Sequence, residues 1–221
     1  MIDLLCVDSA AQEDLMMLDQ LARTVAARQQ AGVRQMILQG SGETHERRLE
    51  TQGLDITRKA GALICDDPLL ELVFRETNRS WANRLTDEGL HALALLGSDR
   101  GFLRVDGEEV ALSKRLEASA WPGEAVIPVL GTLARDMEGR LQDVHPFRVA
   151  CALAETRVDA FRVVMLTRRS LPRSAFGERF SVQQLQENGW LDAHFPVPDQ
   201  STRWVLAEPT SWMAGRCVEV L

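Results

Sequence analysis

Over residues 1–167, short and nearly continuous apolar runs alternate with segments whose apolar residues recur at helical spacing. Ile2–Val7 reads as a strand covered on both faces, the pattern of a parallel sheet. Residues 12–31 place Leu15, Leu18, Ala22, Val25 and Ala26 on one helical face, and Gly32 closes that helix. Residues 33–39 form the next apolar run, so the opening is a β-α-β unit whose right-handed crossover puts both strands in one sheet. A helix over 43–52 follows and ends at Gly53. Pro68, after two aspartates, opens the longest predicted helix, which carries Leu69, Leu72, Val73, Thr77, Trp81 and Leu85 on one face and ends at Gly89. Further on, 91–96 is a third apolar strand, and 102–105 and 108–112 flank Asp106-Gly107, a hairpin signal. Residues 125–133 and 140–144 form a second extended pair, 146–157 a helix and 161–167 a fully apolar strand. After Thr167 the pattern weakens to a short helix at 181–188 and a strand at 204–207. The order predicts an α/β fold, an open and mainly parallel sheet in three layers with antiparallel hairpins. Residues 1–167 form the main unit, and 168–221 a smaller one packed on it as a single body.

Composition narrows the partners. With 221 residues and 45% hydrophobic content the chain buries a full core. A formal charge of −7 and a pI near 5.2 disfavour nucleic acid and anionic membrane surfaces. No apolar run reaches membrane-spanning length, and Asp3 and Asp8 make the start unlike a signal peptide. Cys6, Cys65, Cys151 and Cys217 are scattered without C-x-x-C spacing, which reads as buried thiols in a reducing, cytoplasmic compartment.

The stretch from Gln39 to Glu43 holds the strongest candidate chemistry. An apolar strand enters Gly40-Ser41-Gly42 and then a helix, so two glycines admit close backbone approach while helical N–H groups face any anion lodged there. The same residues also describe an ordinary strand-to-helix turn, and Glu43 competes for the helix dipole. Gly97-Ser98-Asp99-Arg100-Gly101 is a second small-residue turn. His45, flanked by Glu43 and Glu46, and His145, near Asp143, match no paired ligand spacing, so no metal site is expected. Of 25 basic residues only Lys59 and Lys114 are lysines, an unusual shortage beside a glycine turn.

The order of elements, with Ile37-Leu38-Gln39-Gly40-Ser41-Gly42, the segment Leu96 to Arg104, Val126-Ile127-Pro128-Val129-Leu130 and residues 150–167, resembles the amino-acid kinase superfamily. Within it the likeness is to acetylglutamate kinase. The resemblance implies the carbamate kinase-like fold, a homodimer through the long helix, and transfer of the ATP γ-phosphoryl to an acyl-amino-acid carboxylate with magnesium. It also implies a ligand cleft at Gly40, Ser41, Gly42, Gly97, Ser98, Asp143 and His145.

Key charges depart from that pattern. Cys6-Val7-Asp8-Ser9 stands where the family has Lys-x-Gly-Gly-Ser, Leu63 where an arginine grips the substrate carboxylate, and Phe147 where an aspartate organises the lysines. No lysine follows Lys114, and the nucleotide lobe reads as a shortened remnant. No residue is therefore assigned a catalytic role. The leading expectation is a catalytically degenerate protein that binds a small carboxylate or acyl-amino acid without a cofactor, or that regulates an amino-acid biosynthetic enzyme of the arginine type. The alternatives are an active ATP- and magnesium-dependent kinase with Arg104, Arg168 or Arg169 in the lysines' place, and an interaction subunit that binds no ligand.

Overall fold

A computed structural model describes residues 1–7, 12–54, 56–59, 62–64, 68–107, 109–113, 125–156, 161–191 and 203–221. Strand β1 (Ile2–Val7) leads to helix α1 (Leu15–Gln30), β2 (Arg34–Gln39) and α2 (Glu43–Thr51). Asp14 caps α1 by accepting from the Met17 amide at 3.1 Å. Two short strands, β3 (Thr57–Lys59) and β4 (Ala62–Ile64), precede the twenty-residue helix α3 (Pro68–Asp87), and β5 (His91–Leu96) follows it. The hairpin of β6 (Leu103–Asp106) and β7 (Glu109–Leu112) forms as the sequence predicts.

Residues 125–133, read from sequence as one extended run, divide at Thr132 into β8 (Val126–Gly131) and β9 (Leu133–Asp136). Both halves are apolar, so the break has no sequence signature. Its cause is tertiary: the Thr132 amide donates to the Gln39 carbonyl at 2.8 Å, and the Thr132 carbonyl accepts from Val144 at 3.0 Å. The chain thereby leaves one sheet for another. Next come β10 (Leu141–Asp143), α4 (Pro146–Thr156), β11 (Phe161–Leu166), β12 (Arg179–Phe180), α5 (Val182–Glu187), β13 (Arg203–Ala207), α6 (Pro209–Met213) and β14 (Val218–Val220).

The large sheet has the order β12-β14-β13-β11-β1-β2-β8-β5, parallel throughout except between β13 and β14. Residues beyond 167 thus extend the same sheet. The second sheet runs β3-β4-β10-β9-β6-β7.

Alternation along the strands divides the core. Leu4, Met36, Leu38, Val163 and Leu206 pack with Phe147, Val149 and Leu153 of α4 on one face. Leu5, Ile37, Val129, Val164 and Val205 pack on the other with α1, with Trp81 and Leu85 of α3, and with Trp212 of α6. Each such side chain contributes about 1.5–3 kcal/mol by leaving water. A third cluster of Leu49, Leu63, Leu70, Phe74, Leu133 and Leu141 fastens the second sheet to α2 and α3. Trp81 is buried in the core. Cys6 is buried too, but Cys151 and Cys217, expected to be buried thiols, are only partly so, because each lies at the margin of its cluster. Cys65 lies outside the described residues, as do Asp8, Ser9, Asp66, Asp67, Glu108 and Lys114.

Candidate functional site

Parallel strands present their carboxyl ends on one rim of the large sheet, where ligands of open α/β folds bind. Gln39 of β2 and Leu96 of β5 are both register partners of Gly131 on β8. Gly40 and Gly97 consequently leave the same rim on either side of β8, about two strand spacings, ~10 Å, apart.

The glycine turn is closely engaged with its surroundings. A Cβ at Gly40 would stand 2.8 Å from Pro146 Cδ, the first residue of α4, so glycine is required for close packing there. The Ser41 hydroxyl donates to Asp143 at the end of β10, and the Thr132 hydroxyl lies 3.5 Å from the other Asp143 oxygen. Gly42 donates its amide to His45 Nδ1 at 3.1 Å. His45 Nε2 lies 3.5 Å from the Gln39 side-chain nitrogen, and Asn78 of α3 donates to the Gln39 side-chain oxygen at 3.4 Å and to the Val129 carbonyl at 3.0 Å. Gln39, Ser41, His45, Asn78, Thr132 and Asp143 form a buried polar layer beneath the turn.

A carboxylate already sits at the start of α2. Glu13, just before α1, accepts from the Thr44 amide at 3.0 Å and also from the Thr44 hydroxyl. Glu43, which the sequence offered for that role, turns outward to Arg47 at 2.6 Å.

The remaining candidates lie further from this layer or serve local geometry. His145 is exposed and accepts from the Phe147 amide at 3.3 Å, a cap on α4. Gly97 is buried so tightly that an added Cβ would lie 2.5 Å from the Leu133 carbonyl oxygen. Ser98 is buried, and among the described residues its hydroxyl has no hydrogen-bond partner. Asp99 accepts from the Leu96 amide at 3.0 Å and pairs with Arg75 at 2.7 Å. That hydrogen bond raises the Arg75 guanidinium pKa above its ordinary value, against the opposing effect of partial burial.

The structure therefore unites Ser41 and Asp143 with the glycine turn, and adds His45, Thr132, Gln39, Asn78 and Glu13. Of these, His45 alone had a readable signal as an acceptor, since Gly42 and His45 have the N-cap to N3 spacing of a capping box.

At this turn the Asp143 carboxylate is engaged by Ser41 and the Glu13 carboxylate by Thr44, and among the described residues no group of three metal-ligating side chains converges. Leu63 and Phe147 are both 0% exposed, and Phe147 stacks on Trp204 with ring centroids 4.3 Å apart. Arg168 and Arg169 follow β11 at the carboxyl rim, where both are exposed, while Arg104 is exposed on β6 of the second sheet.

No protein-family model matches the chain. It is 29% identical over 155 residues to an acetylglutamate kinase of Corynebacterium jeikeium, covering 62% of this chain and 49% of that protein. To an acetylglutamate kinase of Saccharopolyspora erythraea it is 26% identical over 156 residues, covering 62% and 51%. The chain spans about half the length of the curated relatives it matches. Among solved structures, smu.665 of Streptococcus mutans superimposes with a TM-score of 0.67 at 17% identity, covering 94% of each chain. An N-acetylglutamate synthase of Neisseria gonorrhoeae gives 0.67 at 14%, covering 99% of this chain and 61% of that one. The aspartate kinase of Synechocystis gives 0.63 at 13%, covering 100% and 40%. The protein is acetylglutamate kinase-like in sequence and has the amino-acid kinase fold.

Proposed function

We propose that this is a catalytically degenerate acetylglutamate kinase-like protein whose carboxyl-rim cleft binds a small carboxylate or acyl-amino acid. The observation that carries the reading is the burial of Leu63 and Phe147 in apolar clusters, at the positions where the resembled family places charge. Phosphoryl transfer depends on preorganised charge around the moving oxygens, and losing one such contact typically costs about a hundredfold in rate or more. Arginine does not restore a lost lysine, because its planar fork distributes charge differently from a compact ammonium. The backbone of the turn supports the binding half of the reading: it keeps a strand end, two glycines and a helix start at the rim where α/β folds receive ligands.

A differential thermal-unfolding screen of N-acylated amino acids, free amino acids and nucleotides tests this. Saturable stabilisation by an N-acyl-amino acid is expected. No shift with any of them removes the binding reading. Steady ADP production with ATP, magnesium and an acyl-amino acid would favour an active kinase that uses Arg168 or Arg169, the arginines that lie on the cleft rim.

A further inference from the structure

The amino-terminal rim of the large sheet, opposite the glycine turns, concentrates positive charge. Asp3 of β1 is fully buried and serves two arginines. Arg28 of α1 reaches Oδ2 at 2.9 Å, and Arg162 of β11 grips both oxygens at 2.9 and 2.6 Å. Their side chains are only 23% and 17% exposed, so one carboxylate balances two guanidinium groups in a largely desolvated place. Uncompensated charge in such a setting is costly.

The excess continues along the sheet. Arg203 of β13 is the register partner of Arg162 on a parallel neighbour, so both stand on one face. Glu219 of β14 accepts from Arg203 at 2.5 Å and from Arg179 at 2.9 Å, again one carboxylate to two arginines. Half-buried Cys217 lies within the field of Arg162, Arg203 and Arg28, although burial outweighs them and pushes its thiol up. This concentration runs against the chain's overall charge of −7.

Unpaired donors gather in the same place. The Arg28 guanidinium lies over the Trp212 ring at 4.6 Å. Among the described residues, Arg28 Nε and Trp212 Nε1 are buried without a hydrogen-bond partner, and Trp212 is 3% exposed. Gln35, the register partner of Asp3 on β2, donates to the Val25 carbonyl at 2.9 Å and leaves its own buried oxygen unpaired. Buried donors without partners are rare in folded proteins. Water would satisfy the N–H groups but not the charge; an oxyanion does both.

We infer that this rim is a binding site for a small oxyanion, received by Arg28, Arg162 and the indole N–H of Trp212. The ligand group is a phosphate or a carboxylate. Asp3, Arg28 and Arg162 lie away from Gly40 at the amino-terminal ends of the strands, and Trp212, whose helix follows the carboxyl end of β13, is separated from β2 along the sheet by β11 and β1.

Thermal unfolding of the full chain, titrated with inorganic phosphate or succinate at constant ionic strength against sodium chloride, tests it. A saturable rise in Tm with an oxyanion is expected, and the oxyanion that produces it identifies the source. The rise should vanish in Trp212→Phe, which keeps the ring and removes only the donor, and weaken in Arg162→Lys. A rise of full size in Trp212→Phe, or an equal rise with chloride, means an adventitious ion only and overturns the inference, as does no rise. Because the strand before Trp212 is separated from β2 by β11 and β1, a phosphate response confined to the glycine turn survives Trp212→Phe and is told apart.

Discussion

The Ser41 hydroxyl donates to the Asp143 carboxylate, joining the glycine turn after β2 to the end of β10 across 102 residues of sequence. This contact binds the large sheet to the second sheet at the proposed ligand rim. Removing the hydroxyl leaves a buried carboxylate short of a donor, which typically costs about 1–3 kcal/mol. Ser41→Ala is therefore expected to lower the unfolding free energy by about that amount, read as a lower urea midpoint with an unchanged m-value. An unaltered midpoint would show that the contact carries no weight.

Gly40 packs against the start of α4. In Gly40→Ala the new methyl would stand 2.8 Å from Pro146 Cδ and 2.9 Å from its Cγ, both in a ring that cannot swing aside. Overpacking of this kind costs about 1–3 kcal/mol. Gly53→Ala, which meets no atom within 4 Å, serves as a comparison whose cost comes only from its positive φ of 76°. Chemical denaturation of the two variants separates steric from backbone effects. Gly40→Ala should also weaken ligand binding at the cleft, and Gly53→Ala should not.

Stability on the acid side depends on Glu219. Hydrogen bonds from Arg203 and then Arg179 hold its carboxyl below the ordinary value of 4.5, against slight burial. Since the folded-state pKa is the lower one, this contribution is fully present above 4.5 and is lost as pH falls through the depressed folded value. Glu219→Gln is expected to lose less stability than the natural chain between neutral pH and the range below 4.5. Equal acid-side slopes in urea titrations would contradict that linkage.

Thiol chemistry follows burial. Desolvation first, with the nearby Cys151 adding to it, pushes the Cys6 thiol far above its ordinary range. The thiolate is the reactive species, so Cys6 should resist an aromatic disulfide reagent in the folded chain and react only on unfolding. Mass-spectrometric mapping that finds Cys6 labelled at the same rate in water and in denaturant would refute this.

The pattern of the chain exposes some of these relationships and hides others, for physical reasons. β1, β2 and β11 were readable because strands covered on both faces are nearly continuous apolar runs, and β5, an edge strand with partly exposed residues, carries a similar run. α3 was readable because Val73, Trp81 and Leu85 recur on one buried face, although Leu72, read onto that face from the sequence, is exposed and Leu70 and Phe74 are buried in its place. β3, β4, β12 and β14, of two or three residues each, are too short for any period to register. The break at Thr132 comes from hydrogen bonds to Gln39 and Val144 that no local preference anticipates. The same holds at the site: Ser41 and Asp143 stand out singly as candidates, yet their pairing requires the second sheet to fold over β2. Glu13 was invisible as a partner of Thr44 because the contact depends on how α1 meets the rim.

Calorimetric titration of N-acetyl-L-glutamate into the full chain, in the presence of ATP and magnesium, tests the central claim most directly, since one trace reports both binding and turnover. The account predicts a saturable isotherm with the baseline returning to its starting level after each injection. A sustained baseline displacement, the heat of continuing phosphoryl transfer, would contradict the proposed loss of catalysis, and a trace without binding heat would contradict the proposed carboxylate cleft.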